Sequence, residues 1–369
     1  MSDIVFELID SINDGGAESL VREYALLLQE NKIDVRVITL YENKKSANYR
    51  VLKENNIKVS AIYRKWNLLT RVVNRFFGRF IVTLKLKKYI SHNIPSAIHI
   101  HQSLLKYVSP LSNMIDQKGI KLFYTCHSLP NRYFSGKNYK EQIAAKLLIQ
   151  KNQLQMIALH EHMAQELNVM FNIDNTLVLK NGVDFKKFRG VSETKQELRH
   201  CLGVPSDAFV LGHIGRFVDV KNHTFIVDVF FDVYQKRKDT FLLLVGDGVL
   251  KDSIEKKLKD LGLQNHYLIL SNRSDIPQLL KTMDVFVFPS KYEGLPITLI
   301  EAQVVGLKCI VSDTVSAESI VSKNAIQIPL NDLQIWSDSI VSKAETDIYG
   351  DIESFDMRRV VKKLIELYF

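Results

Sequence analysis

Short apolar runs alternate with helix-length segments along this 369-residue chain, and about halfway through the alternation starts again. The first half opens on an apolar run at residues 4–9. The turn Asn13-Asp14-Gly15-Gly16 and a helical pattern through Leu20, Tyr24, Leu27 and Leu28 follow it. Further runs lie at 35–40, 97–100, 122–125 and 156–159. The second half has runs at 210–214, 241–245, 267–270, 285–288 and 309–311, separated by helical stretches at 225–234, 250–261 and 276–282. Strands alternating with helices predict a parallel sheet with helices on both faces. Two such series predict two Rossmann-like, doubly wound α/β domains, and the length agrees with about two domains. The pattern breaks at Asn181-Gly182-Val183-Asp184. The expected domains are 1–188 and 189–350. The remainder, 351–369, holds a helix over 354–368 without a strand partner, expected to pack back across the domains.

Charge narrows the partners. The chain carries a net charge of +8, unevenly spread: residues 1–189 hold 28 Lys and Arg against 16 Asp and Glu. Between Glu54 and Asp116 there is no acid and there are ten basic residues. A one-sided field of this kind points to an anionic partner: phosphorylated substrate, anionic lipid or nucleic acid. In the segment 64–88, Arg64, Lys65, Arg71, Arg75, Arg79, Lys85, Lys87 and Lys88 interleave with Trp66, Leu68, Leu69, Val72, Phe76, Phe77, Phe80 and Ile81. That spacing fits an amphipathic helix on an anionic membrane. It equally fits a basic helix whose apolar side enters the core.

No run of 18 uncharged apolar residues occurs, so no spanning helix is expected. The acidic start, with Asp3, Glu7 and Asp10, is unlike a secretory signal. Cys126, Cys201 and Cys309 are scattered, as idle thiols in a reducing compartment would be. The expectation is a cytoplasmic protein, at most touching the inner face of the membrane.

Ligands of open parallel sheets bind beyond the carboxyl ends of the strands, so the loops there are the candidate sites. Lys291-Tyr292-Glu293-Gly294-Leu295-Pro296 lies between the run 285–288 and a helical pattern through Thr298, Leu299, Ala302 and Val305. The free N–H groups of that helix suit an anion. Glu293 and Glu301 could accept bonds from two sets of sugar hydroxyls, or they could be a helix-cap carboxylate and a solvated helix residue. Gly215-Arg216-Phe217-Val218-Asp219-Val220-Lys221-Asn222 ends the run 210–214. Gly215 permits close backbone approach, and Arg216 and Lys221 suit diphosphate oxygens, unless this is simply a solvated basic loop. Gly15 and Gly16 could cradle a phosphate or form only a tight turn. No G-x-G-x-x-G is present, which counts against a dinucleotide site. His127, at a strand end, could bond a sugar hydroxyl or be structural. His99 and His101 share one strand face, but no third ligand is visible, so no metal site is expected.

In order and spacing, the motifs resemble glycosyltransferase family 4, retaining enzymes of the GT-B fold, in which two such domains face each other across a cleft. They are Gly15-Gly16-Ala17-Glu18, His99/His101, Thr125-Cys126-His127, Asn181-Gly182-Val183-Asp184, Gly215-Arg216-Phe217 with Lys221-Asn222, Val245-Gly246-Asp247-Gly248, and Glu293-Gly294-Leu295-Pro296 with Glu301. The resemblance covers nearly the whole chain. It implies that Arg216 and Lys221 bind the donor diphosphate, that Gly16 offers it a backbone N–H, and that Glu293 and the amides around Gly294 and Leu295 hold the donor sugar. Glu301 would bind the ribose hydroxyls and His127 would face the sugar. No cofactor or metal is implied.

Ser271-Asn272-Arg273-Ser274-Asp275-Ile276 and Ser312-Asp313 look most like bacterial capsule and exopolysaccharide members. These use nucleotide-sugar donors, commonly UDP-sugars, and saccharide acceptors that are often linked to a lipid diphosphate. One departure stands at His160-Glu161, where the family usually has a serine. A nucleotide-sugar 2-epimerase of the same architecture would need acid and base residues that cannot be placed. A non-catalytic lipid or nucleic-acid binder would not need Arg216, Lys221 and both glutamates, and nucleic acid is not an expected partner.

Overall fold

In the described residues of the computed structural model (3–64, 67–151, 153–342 and 352–369), thirteen strands form two parallel sheets. The first sheet comprises β1 (Ile4–Ile9), β2 (Asp34–Tyr41), β3 (Lys58–Tyr63), β4 (Ala97–His101), β5 (Lys121–Thr125), β6 (Leu154–Ala158) and β7 (Leu177–Val178), in the order β3-β2-β1-β4-β5-β6-β7. The second comprises β8 (Phe209–Ile214), β9 (Thr240–Val245), β10 (Tyr267–Leu270), β11 (Val285–Phe288), β12 (Lys308–Ser312) and β13 (Ala325–Ile328), in the order β10-β9-β8-β11-β12-β13. The strand order reverses between β1 and β4, and again between β8 and β11. Such switch points are where open α/β sheets take ligands.

Strands buried on both faces read as continuous apolar runs. β9 (TFLLLV) and β11 (VFVF) are of this kind, and Leu242, Leu244, Val285 and Val287 join Phe230 and Trp336 in the core of the second unit. Polar residues interrupt the pattern at Glu7 in β1, at His99 and His101 in β4, and at His213 in β8. All four are fully buried, and all flank a switch point.

The chain divides into one unit of Met1–Asn181 with Met357–Phe369 and a second of Gly182–Asp356. The change of unit falls at Asn181–Gly182 rather than at 188/189. The Val183 N–H donates to the Phe355 carbonyl at 2.7 Å. The Asp184 carboxylate caps the helix Phe185–Arg189, which packs on the helices Ile276–Thr282 and Ile297–Val304. The expected division at 350/351 lies outside the described residues. The final helix is Met357–Tyr368. It buries Val360, Val361, Leu364 and Tyr368 and packs on the helix Gly16–Glu30 within the first unit.

Candidate functional site

In the second unit, the loop after β8 and the loop after β11 meet. Gly215 continues the strand, its N–H bonded to the Val245 carbonyl at 2.9 Å, and the Phe217 N–H bonds the Asp247 carbonyl at 2.9 Å. The segment Gly215–Phe217 thus lies against Gly246–Gly248. Gly246 has φ +152°, and a Cβ there would overlap the Gly215 carbonyl. At Gly215, a Cβ would stand 2.7 Å from His213 Nε2 and 3.3 Å from Lys221 Cδ. Glycine is required at both places by close approach.

Lys221 Nζ lies 2.7 Å from Glu293 Oε1 and 5.0 Å from the centre of the Phe288 ring. The backbone reinforces this meeting, since the Lys291 N–H donates to the Val220 carbonyl at 2.9 Å. Lys291 Nζ also reaches Asp219 at 2.6 Å. Glu293 is therefore not a helix cap. The N-cap of Ile297–Val304 is Pro296, which makes no side-chain cap bond. The helix His223–Lys236 is likewise uncapped by a side chain; it follows Asn222, whose φ of +55° turns the chain directly after Lys221. Two helix starts with free N–H groups thus flank the Lys221–Glu293 pair, and the field at each favours an anion. Gly294 and Leu295 are buried, and Glu301 is half-buried on the same helix. Arg216 is exposed, and its guanidinium has no partner among the described residues.

His213 and His223 lie beneath this loop pair. The His213 ring donates from Nδ1 to the Val287 carbonyl at 2.8 Å. Burial, then the neighbouring His223 and Lys221, hold it well below the usual imidazole range. Burial and Lys221 push His223 down to about 4. Both rings are neutral at pH 7, so the site's positive charge resides on Lys221 and Arg216.

In the first unit, Gly15 is the N-cap of Gly16–Glu30, without a side-chain cap. The turn before it is braced from the neighbouring helix: Ser46 Oγ donates to Asp14 Oδ1 at 2.8 Å and Asn48 Nδ2 to the Asn13 carbonyl at 2.7 Å. Glu18 lies against Gly15.

His127 follows β5 and is half-buried. Its Nε2 is 2.8 Å from His101 Nδ1, and His101 Nε2 is 2.8 Å from Glu7 Oε2. The Tyr368 hydroxyl, from the last helix, donates to Glu7 Oε1 at 3.1 Å and lies 2.5 Å from His99 Nδ1. His99 Nε2 meets Thr125 Oγ1 at 2.7 Å. Burial pushes the Glu7 carboxyl up to about 8, opposed by the Tyr368 bond. Burial drives His101 down to about 3 and His127 well below its ordinary value.

Glu7 supplies the third ligand-type group that the histidine pair lacks in the sequence, with all three ligand-type atoms inside 4.8 Å. The 2.8 Å contact is nonetheless hydrogen-bond length. Ligand atoms around one tetrahedral zinc stand roughly 3.3 Å apart.

The basic helix is Leu68–His92, and it divides in character. Gly78, Val82, Leu86 and Ile90 are buried, while Phe76, Phe77 and Phe80 are 72%, 63% and 68% exposed. Arg71, Arg75 and Arg79 are exposed beside them. The aromatic residues therefore do not enter the core. Lys65 and Trp66 lie outside the described residues. Among the described residues no helix is long and apolar enough to cross a membrane.

Two family models match the chain in succession, Glycosyltransferase Family 4 over residues 14–187 and Glycosyl transferases group 1 over residues 194–335. The chain belongs to glycosyltransferase family 4. EpsF of Bacillus subtilis (strain 168) is 27% identical to this family 4 glycosyltransferase over 353 residues, 92% of this chain and 87% of EpsF. The UDP-Gal:alpha-D-GlcNAc-diphosphoundecaprenol alpha-1,3-galactosyltransferase of Escherichia coli is 30% identical over 206 residues, 52% of this chain and 53% of that protein. Among solved structures, Anabaena HepE in complex with UDP and glucose superposes with a TM-score of 0.77 at 19% identity, covering 100% of this chain and 99% of HepE. That likeness shows a shared GT-B fold. Neither the epimerase nor the non-catalytic binder is favoured by these matches.

The family 4 glycosyltransferase departs from the usual serine at His160, and the structure shows what replaces it. His160 Nδ1 accepts from the Met163 N–H at 3.3 Å and caps the helix Glu161–Phe171. An imidazole lone pair thus does the capping work of a hydroxyl oxygen. Sequence reasoning missed Glu7, Tyr368, His213 and His223 as site neighbours. For Glu7 and His213 the available signal was a carboxylate or imidazole within an apolar strand, where a polar group must be partnered.

Proposed function

We propose that this glycosyltransferase moves a hexose-type sugar, with retention, from a nucleotide diphosphate sugar to a saccharide acceptor. The donor is a UDP-sugar and the acceptor is carried on a lipid diphosphate, in the synthesis of a bacterial surface polysaccharide. The observation that carries this reading is the Lys221–Glu293 contact at the β8/β11 switch point, between two uncapped helix starts. It joins a cation for diphosphate oxygens to a carboxylate for sugar hydroxyls. Arg216 and Lys221 stabilise the negative charge that develops as the C1–oxygen bond to the diphosphate breaks. The acceptor oxygen bonds to C1 on the same face, and its proton passes to the departing diphosphate. Glu293 with the Gly294 and Leu295 amides holds the donor sugar, Glu301 the ribose, and Gly16 a phosphate oxygen through its N–H. His127 bonds a ligand hydroxyl. The two cationic side chains do electrostatic work otherwise given to a metal ion.

The named substrates of the Escherichia coli relative, a UDP-sugar and a diphosphoundecaprenol-linked sugar, support the choice of donor and acceptor, as does the UDP in HepE. A lipid-linked acceptor sits at a membrane. The exposed Phe76, Phe77 and Phe80 with Arg71, Arg75 and Arg79 support contact with an anionic cytoplasmic leaflet.

A thermal-shift screen of UDP-, GDP- and ADP-sugars tests the donor. Binding to the folded state alone raises stability by mass action, about 2.7 kcal/mol at 100 times the dissociation constant. A rise with UDP-sugars, followed by release of UDP and extension of an undecaprenyl-diphosphate-linked sugar, is the expected result. Stabilisation by none of them, or conversion of the UDP-sugar to an isomer without acceptor, would overturn the reading.

A further inference from the structure

Glu7, His101 and His127 form an unbroken line of hydrogen bonds from a fully buried carboxyl on β1 to a half-exposed ring after β5, with two contacts of 2.8 Å. The groups facing this line are Tyr24 from the helix Gly16–Glu30, His99 from β4, Thr125 from β5 and Tyr368 from the last helix. Tyr368 has one hydroxyl proton; with it on the bond to Glu7 Oε1, His99 donates from Nδ1 to the Tyr368 oxygen and accepts at Nε2 from Thr125. In that arrangement the Tyr368 side holds no mobile proton.

The other side has two consistent arrangements, because each neutral imidazole carries one proton. When Glu7 Oε2 carries a proton, it donates to His101 Nε2. His101 then donates from Nδ1 to His127 Nε2, and His127 carries its own proton on Nδ1. When Glu7 is ionised, every bond reverses. His101 donates from Nε2 to the carboxylate, His127 donates from Nε2 to His101, and His127 Nδ1 is a bare lone pair. Nδ1 is the ring nitrogen that the line leaves free, with no hydrogen-bond partner among the described residues.

We propose that Glu7 and His101 are positioning residues: the proton on Glu7, acting through His101, decides whether His127 shows a ligand hydroxyl an N–H donor or a lone pair. This rests on His127 facing ligand, as proposed above. The two forms differ by one proton. A proton taken up at His127 Nδ1 moves the Nε2 proton to His101 and the His101 Nε2 proton to Glu7, so the net gain is stored on the buried carboxyl. No imidazolium is needed. The donor form prevails at neutral pH, because burial keeps Glu7 protonated.

Glu7→Gln separates the alternatives. Its amide would accept from Tyr368 and donate to His101 Nε2, and so would hold the donor form permanently. The test is long-range proton–nitrogen NMR of the full chain with nitrogen-15 histidine, across the neutral and mildly alkaline range, with His127→Asn assigning the His127 signals. In the wild type, His127 should pass from the Nδ1–H to the Nε2–H tautomer as pH rises. In Glu7→Gln it should remain Nδ1–H throughout. An unchanging His127 in the wild type overturns the proposal, as does an equal switch in both proteins. A switch at His99 instead would put the mobile proton on the Tyr368 side and overturn it as well. The kcat–pH profile adds a second readout: the wild type should show an alkaline fall that Glu7→Gln lacks, whatever their rates at neutral pH. The NMR result does not depend on transfer, so failure to find a transferase would leave it standing.

Discussion

Lys221 and Glu293 are 72 positions apart in the chain and 2.7 Å apart in space. Their opposite charges face each other directly, and both side chains stay partly exposed. At 16% side-chain exposure each, the pair lies between exposed pairs worth about 1 kcal/mol or less and buried pairs whose breaking costs about 3–5 kcal/mol. Replacing either residue by alanine should therefore lower the melting temperature modestly and leave the protein folded. For Lys221, proposed to face the departing diphosphate, loss of electrostatic stabilisation costs roughly 10²–10³ in kcat; Glu293→Ala removes the carboxylate proposed to hold the donor sugar and should also lower transfer. Steady-state kinetics beside a thermal melt checks both halves, and normal turnover in Lys221→Ala and Glu293→Ala would remove the site assignment.

Gly246→Ala should act by a different route. Its φ of +152° is unfavourable for an alanine, and the added methyl would overlap the Gly215 carbonyl. Strain of this type costs of order 1–3 kcal/mol, and the loop carrying Arg216 would be displaced as well. Urea denaturation should show a lower midpoint together with weaker donor binding. An unshifted midpoint would mean that the two loops are not packed as described.

Burial raises the Glu7 carboxyl from 4.5 to about 8. A group whose pKa is raised on folding stabilises the fold fully below its unfolded value and loses that contribution as pH rises to the folded value. Between about pH 4.5 and 8, the wild type should therefore lose stability relative to Glu7→Gln, which has nothing to ionise. A tenfold change in an acid's dissociation constant corresponds to about 1.4 kcal/mol. Denaturant melts of both proteins at the two ends of that window measure the difference, and a constant gap would contradict the raised carboxyl. His101, lowered from 6.5 to about 3 by burial, acts the other way: its contribution is present above the higher value and lost as pH falls toward the lower. Its window ends at about 6.5, so the Glu7 difference is read between there and about pH 8.

The face of Leu68–His92 should bind anionic vesicles. Reversing Arg71, Arg75 and Arg79 to Glu removes an attraction of about 1 kcal/mol for each Arg near the surface. Co-sedimentation with phosphatidylserine vesicles should then fall by more than about tenfold, with transfer to a soluble acceptor unaffected. Replacing Phe76, Phe77 and Phe80 by Ser should release the protein even at low salt. Equal sedimentation of wild type and Arg variant would count against membrane contact.

Most of the architecture was legible in the order of apolar runs, because central strands of a parallel sheet are buried on both faces. The strands without such a run were β3, β7 and β13, which lie at sheet ends. An end strand packs less completely: β7 has two residues, both half-buried, and β3 is buried only at Ile62 and Tyr63. In the site, Lys221 and Glu293 were legible as strand-end residues, although their contact was not. Glu7 stood out only as part of an acidic start. Its partners lie on other strands and on the last helix, and Tyr368 is 361 positions away. Periodicity reports which face a residue takes; it carries nothing about pairing over such separations.

The return of Met357–Tyr368 to the first unit has a consequence for biosynthesis. A ribosome delivers β1 to β7 long before Tyr368 exists, and domains tend to fold as they emerge. Until synthesis passes Tyr368, the nascent first half holds a carboxyl on β1 without its hydroxyl partner and an uncovered apolar groove along Gly16–Glu30. Its maturation is thereby tied to synthesis through Tyr368, so a product cut short before Met357–Tyr368 would be marked for chaperones or proteases by its unfinished front half.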